Sequence, residues 1–98
     1  MRFEWDPRKA AQNLQKHRVP FEEACTIFAD RSILTVHDEE HSESEDRWAS
    51  MGFSSAGRIL VVIHTWPEPE DEGEELVRII SARRANKREQ GVYQRRQQ

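Results

Sequence analysis

Residues 78–96 read RIISARRANKREQGVYQRR, and in this stretch an apolar run suited to a sheet passes directly into a basic segment. We predict a strand over residues 75–82 and a helix over residues 86–95, which Gly91 weakens by about 1 kcal/mol relative to alanine. The positive charge therefore falls where a sheet meets its last helix. The chain as a whole is acidic, with a net charge of −3, so this basic end needs an explanation.

Charge is distributed in blocks along the chain. Residues 37–75 contain twelve Asp or Glu and two Arg, whereas residues 76–98 contain seven Lys or Arg and one Glu. Such blocks favour an end that faces a polyanion and an acidic part that screens it or repels nucleic acid elsewhere. An ordinary solvated surface is the alternative interpretation.

Length and composition limit the class of protein. The 98 residues fit a single domain, residues 1–98, with one modest core. The longest apolar run, residues 59–63, is far below the roughly 20 residues of a membrane span. The N-terminus lacks an apolar signal core, so we expect a cytoplasmic protein with no membrane partner. The single cysteine, Cys25, excludes an internal disulfide and is expected in the core.

Patterns before the basic end predict further elements. Asp6 and Pro7 begin a first helix, because Asp caps a helix and Pro fits its first turn. Apolar residues recur at helical spacing over residues 21–28, which predicts a second helix with one buried face. Residues 58–65 are apolar on both faces, as a central strand is. Residues 66–75 contain two prolines and six acids, which indicates a loop.

The order of these elements is typical of the α+β class, since helices come first and strands follow as hairpins. We predict two N-terminal helices packed on a mainly antiparallel sheet of about four strands, with a C-terminal helix. The predicted helices are residues 7–16, 21–28 and 86–95. The predicted strands are residues 32–36, 47–53, 58–65 and 75–82, and the alternation at residues 3–5 allows one further short strand.

Three segments of the sequence, taken together, resemble one known family. They are FEWDPRKAAQNLQKHRVPFEEACTIFAD at residues 3–30, GRILVVIHT at residues 57–65 and VRIISARRANKREQGVY at residues 77–93. Over residues 3–93 the chain is similar to the BrnT family of bacterial toxins. The most specific pieces are the WD pair at residues 5–6 with Asn13 and residues 16–17, the second predicted helix, and RIISARRA at residues 78–85.

The resemblance implies an activity and a set of partners. The family consists of small ribonucleases of type II toxin–antitoxin pairs, with a compact fold similar to RelE. It therefore implies an endoribonuclease that cuts RNA without a metal ion or other cofactor and blocks translation and growth. It also implies a BrnA-like antitoxin with a ribbon-helix-helix part, in a heterotetramer or larger complex that binds operator DNA through the antitoxin.

Arginines of the basic end are the candidates for stabilising the phosphate during cleavage. A guanidinium can contact two phosphate oxygens at once. We predict that Arg78 and Arg83 act in catalysis. Strict alternation along the strand places Arg78 with Ala82 on one face and Arg83 on the other. The alternative for either arginine is an ion pair with a carboxylate such as Glu89, because surface ion pairs are common.

A basic stripe on the last predicted helix is the candidate for binding the RNA backbone. Arg84, Lys87 and Arg88 fall at positions i, i+3 and i+4, on one side of that helix. Together with Lys16, at the end of the first helix, they are predicted to contact RNA. We expect a segment of the antitoxin to cover residues 78–88.

His64 and Tyr93 are the candidates for moving protons. His64 ends the central strand, and the ordinary pKa of histidine is near neutral. A histidine hydrogen-bonded within the sheet is the alternative. Tyr93 could donate its hydroxyl or stack on a base, or it could simply pack on the sheet. His17 suits the negative end of the first helix dipole.

Two further features carry weaker signals. His37 and His41 flank acidic residues in HDEEH, but no spacing typical of zinc ligands supports a metal site. We therefore predict no metal and a solvated loop. Trp66 begins the acidic loop and is expected to be exposed, as an antitoxin contact or a platform for an RNA base.

Two other classes of function stay open on the residues alone. A nucleic-acid-binding module without catalysis would use the same basic end and show salt-dependent RNA binding without cleavage. A partner-binding protein would instead capture a basic peptide with its acidic loops.

Overall fold

A five-stranded sheet with helices packed on both faces forms the frame of the protein. The structure, a computed structural model, describes residues 1–41, 45–66 and 75–96, so most of the predicted acidic loop lies outside the described residues. In this part of the chain no helix is long and apolar enough to cross a bilayer. The elements are β1 (Arg2–Glu4), α1 (Pro7–His17), α2 (Phe21–Ala24), a 3₁₀ helix (Cys25–Ala29), β2 (Leu34–His37), a second 3₁₀ helix (Glu39–His41), β3 (Arg47–Phe53), β4 (Ile59–Thr65), β5 (Leu76–Arg84) and α3 (Lys87–Arg96).

The predicted α+β class is confirmed, but the predicted sheet was wrong in detail. The strand order is β1-β5-β4-β3-β2. β1 pairs with β5 in parallel, with Arg2 opposite Leu76, whereas the other pairings are antiparallel. The sheet is therefore mixed and has a fifth strand. A strand of three residues carries almost no periodicity, and its partner lies at the other end of the chain, so the sequence pattern could not establish this pairing.

The second predicted helix was also wrong in detail. α2 is a single turn of four residues, and the chain continues as a 3₁₀ helix. The Thr26 hydroxyl donates to the Glu23 carbonyl oxygen at 2.6 Å and accepts the Ser55 N–H at 2.9 Å. A hydroxyl that bonds a backbone carbonyl in this way competes with the α-helical ladder. The tighter helix follows from this local competition, which apolar spacing does not reveal.

Two apolar clusters lie on opposite faces of the sheet. On the face under α1 and α2, here called the α1/α2 face, the buried side chains include Phe21, Ile27 and Leu60. On the other face, here called the α3 face, a smaller cluster contains Met51, Val61, Ala85 and Tyr93. α3 covers only part of its face, because Val36 of β2 is 54% exposed there, two residues from the partly buried Leu34.

Asn13 of α1 joins this helix to the sheet. Its side-chain amide donates to the carbonyl oxygens of Ala82 at 2.8 Å and Val19 at 3.0 Å, and its oxygen accepts the Ala82 N–H at 3.0 Å. β1 covers the edge of β5 only as far as Arg78. Beyond that residue the Asn13 amide takes the place of a paired strand. It thereby fixes β5, which carries the candidate arginines.

An ion pair ties the β3–β4 turn to the helices. Arg58 donates from Nε and Nη2 to the two carboxylate oxygens of Glu23, at 2.8 and 2.6 Å. The Ser54 hydroxyl donates to the same carboxylate at 2.7 Å, and Arg58 also donates to the carbonyl oxygen of Arg18 at 3.0 Å. The hydrogen bonds from Arg58 hold the pKa of Glu23 below its ordinary value, although burial opposes this. The pair is therefore formed at neutral pH.

Candidate functional site

A bulge in β5 decides which way the candidate arginines point. The register between β4 and β5 shifts after Ile63, so Ile80 is an extra residue in β5. A bulge reverses the alternation of side chains. The prediction that Arg78 and Arg83 lie on opposite faces was therefore wrong, and both lie on the α3 face. The rise of a strand places their Cα atoms roughly 15 Å apart, so they suit different phosphates of one strand rather than a single phosphate.

Arg83 is held by the first turn of α3. Its Nη1 and Nη2 donate to the two carboxylate oxygens of Glu89 at 2.7 and 2.9 Å. The same carboxylate accepts the Asn86 N–H at 2.9 Å, and the Asn86 side chain accepts the Glu89 N–H at 2.8 Å, which makes a capping box. The hydrogen bonds from Arg83 hold the pKa of Glu89 below its ordinary value. The structure thus forms the ion pair weighed as the alternative, and a catalytic role for Arg83 stays a prediction.

Arg78 is more loosely held. Its Nε lies 3.4 Å from a Glu4 oxygen, and its Nη1 lies 3.4 Å from a Glu45 oxygen. Both distances are at the long end of the hydrogen-bond range. The side chain is 49% exposed and lines a shallow polar cleft with Trp5 and Lys9. Arg78 can therefore exchange its carboxylates for a phosphate at little cost, since exposed ion pairs are weak.

His64 lies on the opposite face, inside the core. Its Nε2 is 2.6 Å from the Ser50 hydroxyl, which in turn is 2.7 Å from the Thr35 hydroxyl, and its Nδ1 is 3.1 Å from the Thr65 carbonyl oxygen. The residue is 0% exposed and packs edge-on against Phe28. Burial lowers the pKa of His64 and keeps the imidazole neutral. This environment favours the alternative of a histidine hydrogen-bonded within the sheet.

Tyr93 fixes the position of α3. Its ring is buried on the α3 face, and its hydroxyl donates to Asp30, the residue that follows the first 3₁₀ helix. Asp30 also accepts the backbone N–H groups of Phe53 at 2.8 Å and Ser32 at 2.9 Å. Burial would raise the pKa of Asp30, but these three hydrogen bonds lower it below its ordinary value. Tyr93 therefore anchors the helix through a charged partner.

The residues predicted to bind the RNA backbone are all exposed. They lie around the end of the sheet where β5 stops: Lys16, Arg84, Lys87 and Arg88. One detail was wrong, because Arg84 ends β5 and does not belong to α3. The predicted helical stripe is therefore a basic rim assembled from a strand and two helices.

His37, which carried only a weak signal in the sequence, lies at the other end of the sheet. His37 ends β2, and its Nε2 is 3.3 Å from an Asp46 carboxylate oxygen. Its ring stands edge-on to Trp48 with ring centroids 4.9 Å apart. The acidic residues around His37 suggested a solvated loop. In the sequence, the one sign that His37 contacts Asp46 and Trp48 was the aromatic residue Trp48, two positions after Asp46. The hydrogen bonds of Asn13, a residue noted only through the family resemblance, were not predicted. The capping box of α3 was also missed, although an Asn three residues before a Glu is a known helix-start pattern.

The described part of the chain contains neither a candidate metal site nor a reactive thiol. No group of three or more His, Cys, Asp or Glu residues there could hold a metal ion. Cys25 is a free, half-buried thiol, and burial raises its pKa to about 11. A thiol with so high a pKa is a poor nucleophile at neutral pH.

The sequence matches one family, and the fold matches that of a solved structure. Residues 5–89 match the family described as "Ribonuclease toxin, BrnT, of type II toxin-antitoxin system". The fold is similar to that of the ribonuclease toxin BrnT of Brucella abortus, with a TM-score of 0.63 and 24% sequence identity over 89% of this chain and 99% of that chain. Among curated proteins, no match to the sequence was found.

Proposed function

We propose that this chain, which belongs to the family of BrnT ribonuclease toxins of type II toxin–antitoxin systems, cuts RNA in the cytoplasm without a metal ion and so blocks translation and growth. The observation that supports a site for this activity is the pair Arg78 and Arg83, which share the α3 face with side chains 49% and 43% exposed. A relationship to RelE, which the resemblance implies, belongs to the same proposal.

The two arginines suit the charge changes of RNA cleavage. When a ribose 2′-oxygen attacks the adjacent phosphorus, negative charge builds up on the phosphate oxygens. Fixed guanidiniums placed beside these oxygens lower the barrier, and such electrostatic stabilisation is often the largest contribution in catalysis. Because Arg78 and Arg83 suit different phosphates of one strand, one of them takes this role at the reacting phosphate and the other holds a neighbouring phosphate. His64 and Tyr93 act by position: His64 fixes β3 against β4 through Ser50, and Tyr93 fixes α3.

The basic rim extends the RNA path beyond the α3 face. Lys16, Arg84, Lys87 and Arg88 lie beyond Arg83 at the end of the sheet and are all exposed. RNA bound along the sheet would meet Arg78 first and then Arg83 and the rim. A bound phosphate must displace the carboxylates of Glu4, Glu45 and Glu89 from the two arginines. Because the RNA contacts are ionic, the affinity for RNA should fall strongly as the salt concentration rises.

A type II toxin implies an antitoxin, and the α3 face offers a place for it. Val36, Ala49, Met51 and Val61 form a mostly apolar surface beside Glu89, the partner of Arg83. We propose that a BrnA-like ribbon-helix-helix antitoxin covers this surface and residues 78–88, in a heterotetramer or larger complex. The complex would bind operator DNA through the antitoxin.

Expression of the chain alone in bacteria tests the activity. Growth should stop and transcripts should be cut, and co-expression of the antitoxin should restore growth. The purified protein should cut RNA in the presence of EDTA. Arg78→Ala and Arg83→Ala should lose cleavage, whereas Arg8→Ala, a change of an exposed arginine on α1, should retain it. RNA binding without cleavage by the parent protein would instead support the non-catalytic module.

Glu89→Gln is the sharper test of Arg83. A glutamine keeps the reciprocal cap with Asn86 but removes the charge that holds Arg83. Because exposed ion pairs contribute about 0.5–1 kcal/mol, the affinity for RNA should rise about two- to fivefold. An unchanged affinity in this variant, with α3 intact by circular dichroism, would argue that Arg83 does not contact RNA.

A further inference from the structure

A shallow groove runs along one flank of α3, between this helix and the β3–β4 hairpin. Glu89 lies on the other flank, beside the apolar surface proposed for the antitoxin. The groove extends past Tyr93 as a recess of about 440 Å³ that reaches Asp30, a volume within the range of small-ligand sites. We call it the Phe53 groove, and its lining includes Phe53, Ile59, Arg84, Gln90 and Gln94.

The ring of Phe53 forms an apolar wall of this groove. Phe53 is the last residue of β3 and lies opposite Ile59, on the α3 face. Its side chain is 49% exposed, whereas its backbone N–H donates to the Asp30 carboxylate at 2.8 Å. An exposed ring is thus held on a fixed backbone. Rings placed in this way stack on nucleic-acid bases, and any base can stack because every base has a π-face.

The helix supplies polar groups to the opposite wall. Gln90 and Gln94 are four residues apart and therefore share one side of α3. The Gln90 amide already donates to the Ala85 carbonyl oxygen at 2.9 Å. The exposed Gln94 side chain makes no hydrogen bond within residues 1–41, 45–66 and 75–96. A free amide both donates and accepts, so Gln94 can bind the edge of an unpaired base.

Arg84 connects the Phe53 groove to the basic rim, of which it is a member. The other guanidinium that lines the groove, that of Arg58, is bound to Glu23 at 2.6 Å. Arg84 is exposed and makes no ion pair with any residue that the structure describes. It directly follows Arg83, and neighbouring residues of a strand are about 3.3 Å apart along it. One RNA backbone can therefore contact Arg83 and then Arg84 at the mouth of the groove.

We propose that the Phe53 groove binds one unpaired nucleotide of the RNA substrate. Phe53 stacks on the base, Gln94 hydrogen-bonds the edge of that base, and Arg84 holds its phosphate. The assignment rests on the proposed ribonuclease function. A base within a duplex is stacked between its neighbours and paired at its edge, so it cannot enter the groove. The groove therefore selects single-stranded RNA over duplex RNA.

Fluorescence anisotropy with a short labelled RNA tests the assignment. Every ribose carries a 2′-O-methyl group, because cleavage needs a free 2′-hydroxyl. The parent should bind the single strand more tightly than the same strand annealed to its complement. Phe53→Leu keeps an apolar side chain without a ring; it should weaken binding of the single strand about tenfold and leave the duplex unaffected. Phe53→Tyr should bind as the parent does, and so should Leu14→Ala, a change of an exposed apolar residue on α1.

The polar contacts have separate signatures in the same assay. Gln94→Ala should weaken binding of the single strand about fivefold, because one hydrogen bond is lost, and should leave the salt dependence unchanged. Arg84→Ala should reduce the slope of log Kd against log salt concentration by about 0.7, the effect of one phosphate contact on a single strand. Arg8→Ala, the matched control on α1, should keep the slope of the parent.

The outcomes separate this assignment from the function on which it rests. If the parent neither binds nor cuts RNA, the ribonuclease proposal fails and the groove loses its role with it. If the parent cuts unmodified RNA, and Phe53→Leu binds single strand and duplex as the parent does, only the assignment is wrong. Equal weakening by Phe53→Leu and Phe53→Tyr, with lower urea midpoints for both, would also overturn it. Loss of antitoxin binding by Phe53→Leu, with unchanged affinity for RNA, would assign the groove to the protein partner instead.

Discussion

Removal of the Asn13 side chain should destabilise the protein more than any other change on α1. Asn13→Ala eliminates three buried hydrogen bonds, two to Ala82 and one to Val19. At about 1 kcal/mol for each bond the loss is about 3 kcal/mol. Alanine has a higher helix propensity than asparagine and returns about 0.6 kcal/mol. The net decrease in the free energy of unfolding is therefore about 2–3 kcal/mol, a large share of the stability of a small domain.

Urea and thermal unfolding followed by circular dichroism measure this change. For a domain of this size each 1 kcal/mol shifts Tm by about 4–8 °C, so Asn13→Ala should lower Tm by about 10–20 °C. Gln12→Ala is the matched control, because Gln12 is the exposed neighbour of Asn13 on the same helix. Its effect should stay within about 0.5 kcal/mol, as is usual for surface positions.

Asn13→Asp distinguishes lost hydrogen bonds from lost packing. Aspartate has nearly the shape of asparagine, but its carboxylate cannot donate to the carbonyl oxygens of Val19 and Ala82. At pH 7 it places a negative charge beside both oxygens, so Asn13→Asp should be less stable than Asn13→Ala. Protonation at acidic pH restores one donor and should narrow the difference. If Asn13→Asp is as stable as the parent at pH 7, or if Asn13→Ala matches Gln12→Ala, the account of how β5 is held is wrong.

Four further substitutions test other parts of the fold. Pairing with Arg58 lowers the pKa of Glu23 in the folded state below its ordinary value of 4.5. The contribution of this pair to stability is therefore present above pH 4.5 and is lost as the pH falls toward the lowered pKa. Glu23→Gln should make the urea midpoint depend less on pH between pH 5 and 3, and an unchanged pH dependence would contradict the pairing. Gly91→Ala should raise the free energy of unfolding by up to about 1 kcal/mol, since the new Cβ meets a flexible arginine side chain at 3.4 Å. Gly52→Ala should lower the free energy of unfolding by about 1–3 kcal/mol, since the Cβ would lie 3.0 Å from a buried isoleucine side chain. Urea unfolding checks both glycine substitutions, because they should change the free energy of unfolding in opposite directions. Tyr93→Phe should lower the free energy of unfolding by about 1.5 kcal/mol, because the hydrogen bond to a charged carboxylate is lost. The kcat for RNA cleavage, measured below the Tm of the variant, should stay unchanged. A large fall in kcat would instead support a catalytic role for Tyr93.

Local sequence patterns succeeded where the cause of the structure is local. The spacing of apolar residues, Asp6 with Pro7, and the apolar run of β4 predicted α1, the central strand and the last helix to within one or two residues. The same patterns failed where a distant group decides. The register shift after Ile63 turns Arg78 to the face of Arg83, and β1 pairs with β5 from the other end of the chain. A bulge depends on the partner strand, which the pattern of one strand does not show.

The candidate site divides in the same way. The sequence identified Arg78, Arg83 and the basic rim, because clustered positive charge is a property of composition and order. It could not show that Glu89 holds Arg83, that His64 is enclosed by the core, or that Asp46 and Trp48 hold His37. Each of these facts depends on which side chains meet across strands, and burial decides whether a histidine can reach a substrate at all.

By itself, the sequence determined the α+β class, the main strands and helices, the family resemblance and the end of the molecule that carries positive charge. Only the tertiary structure decided the fifth strand, the common face of the two arginines and the difference between a buried and an accessible histidine. The physical reason is the range of the interactions. Helical and strand periodicity acts over a few neighbouring residues, whereas β1 with β5, Asn13 with Ala82 and Tyr93 with Asp30 join parts of the chain that only folding brings together.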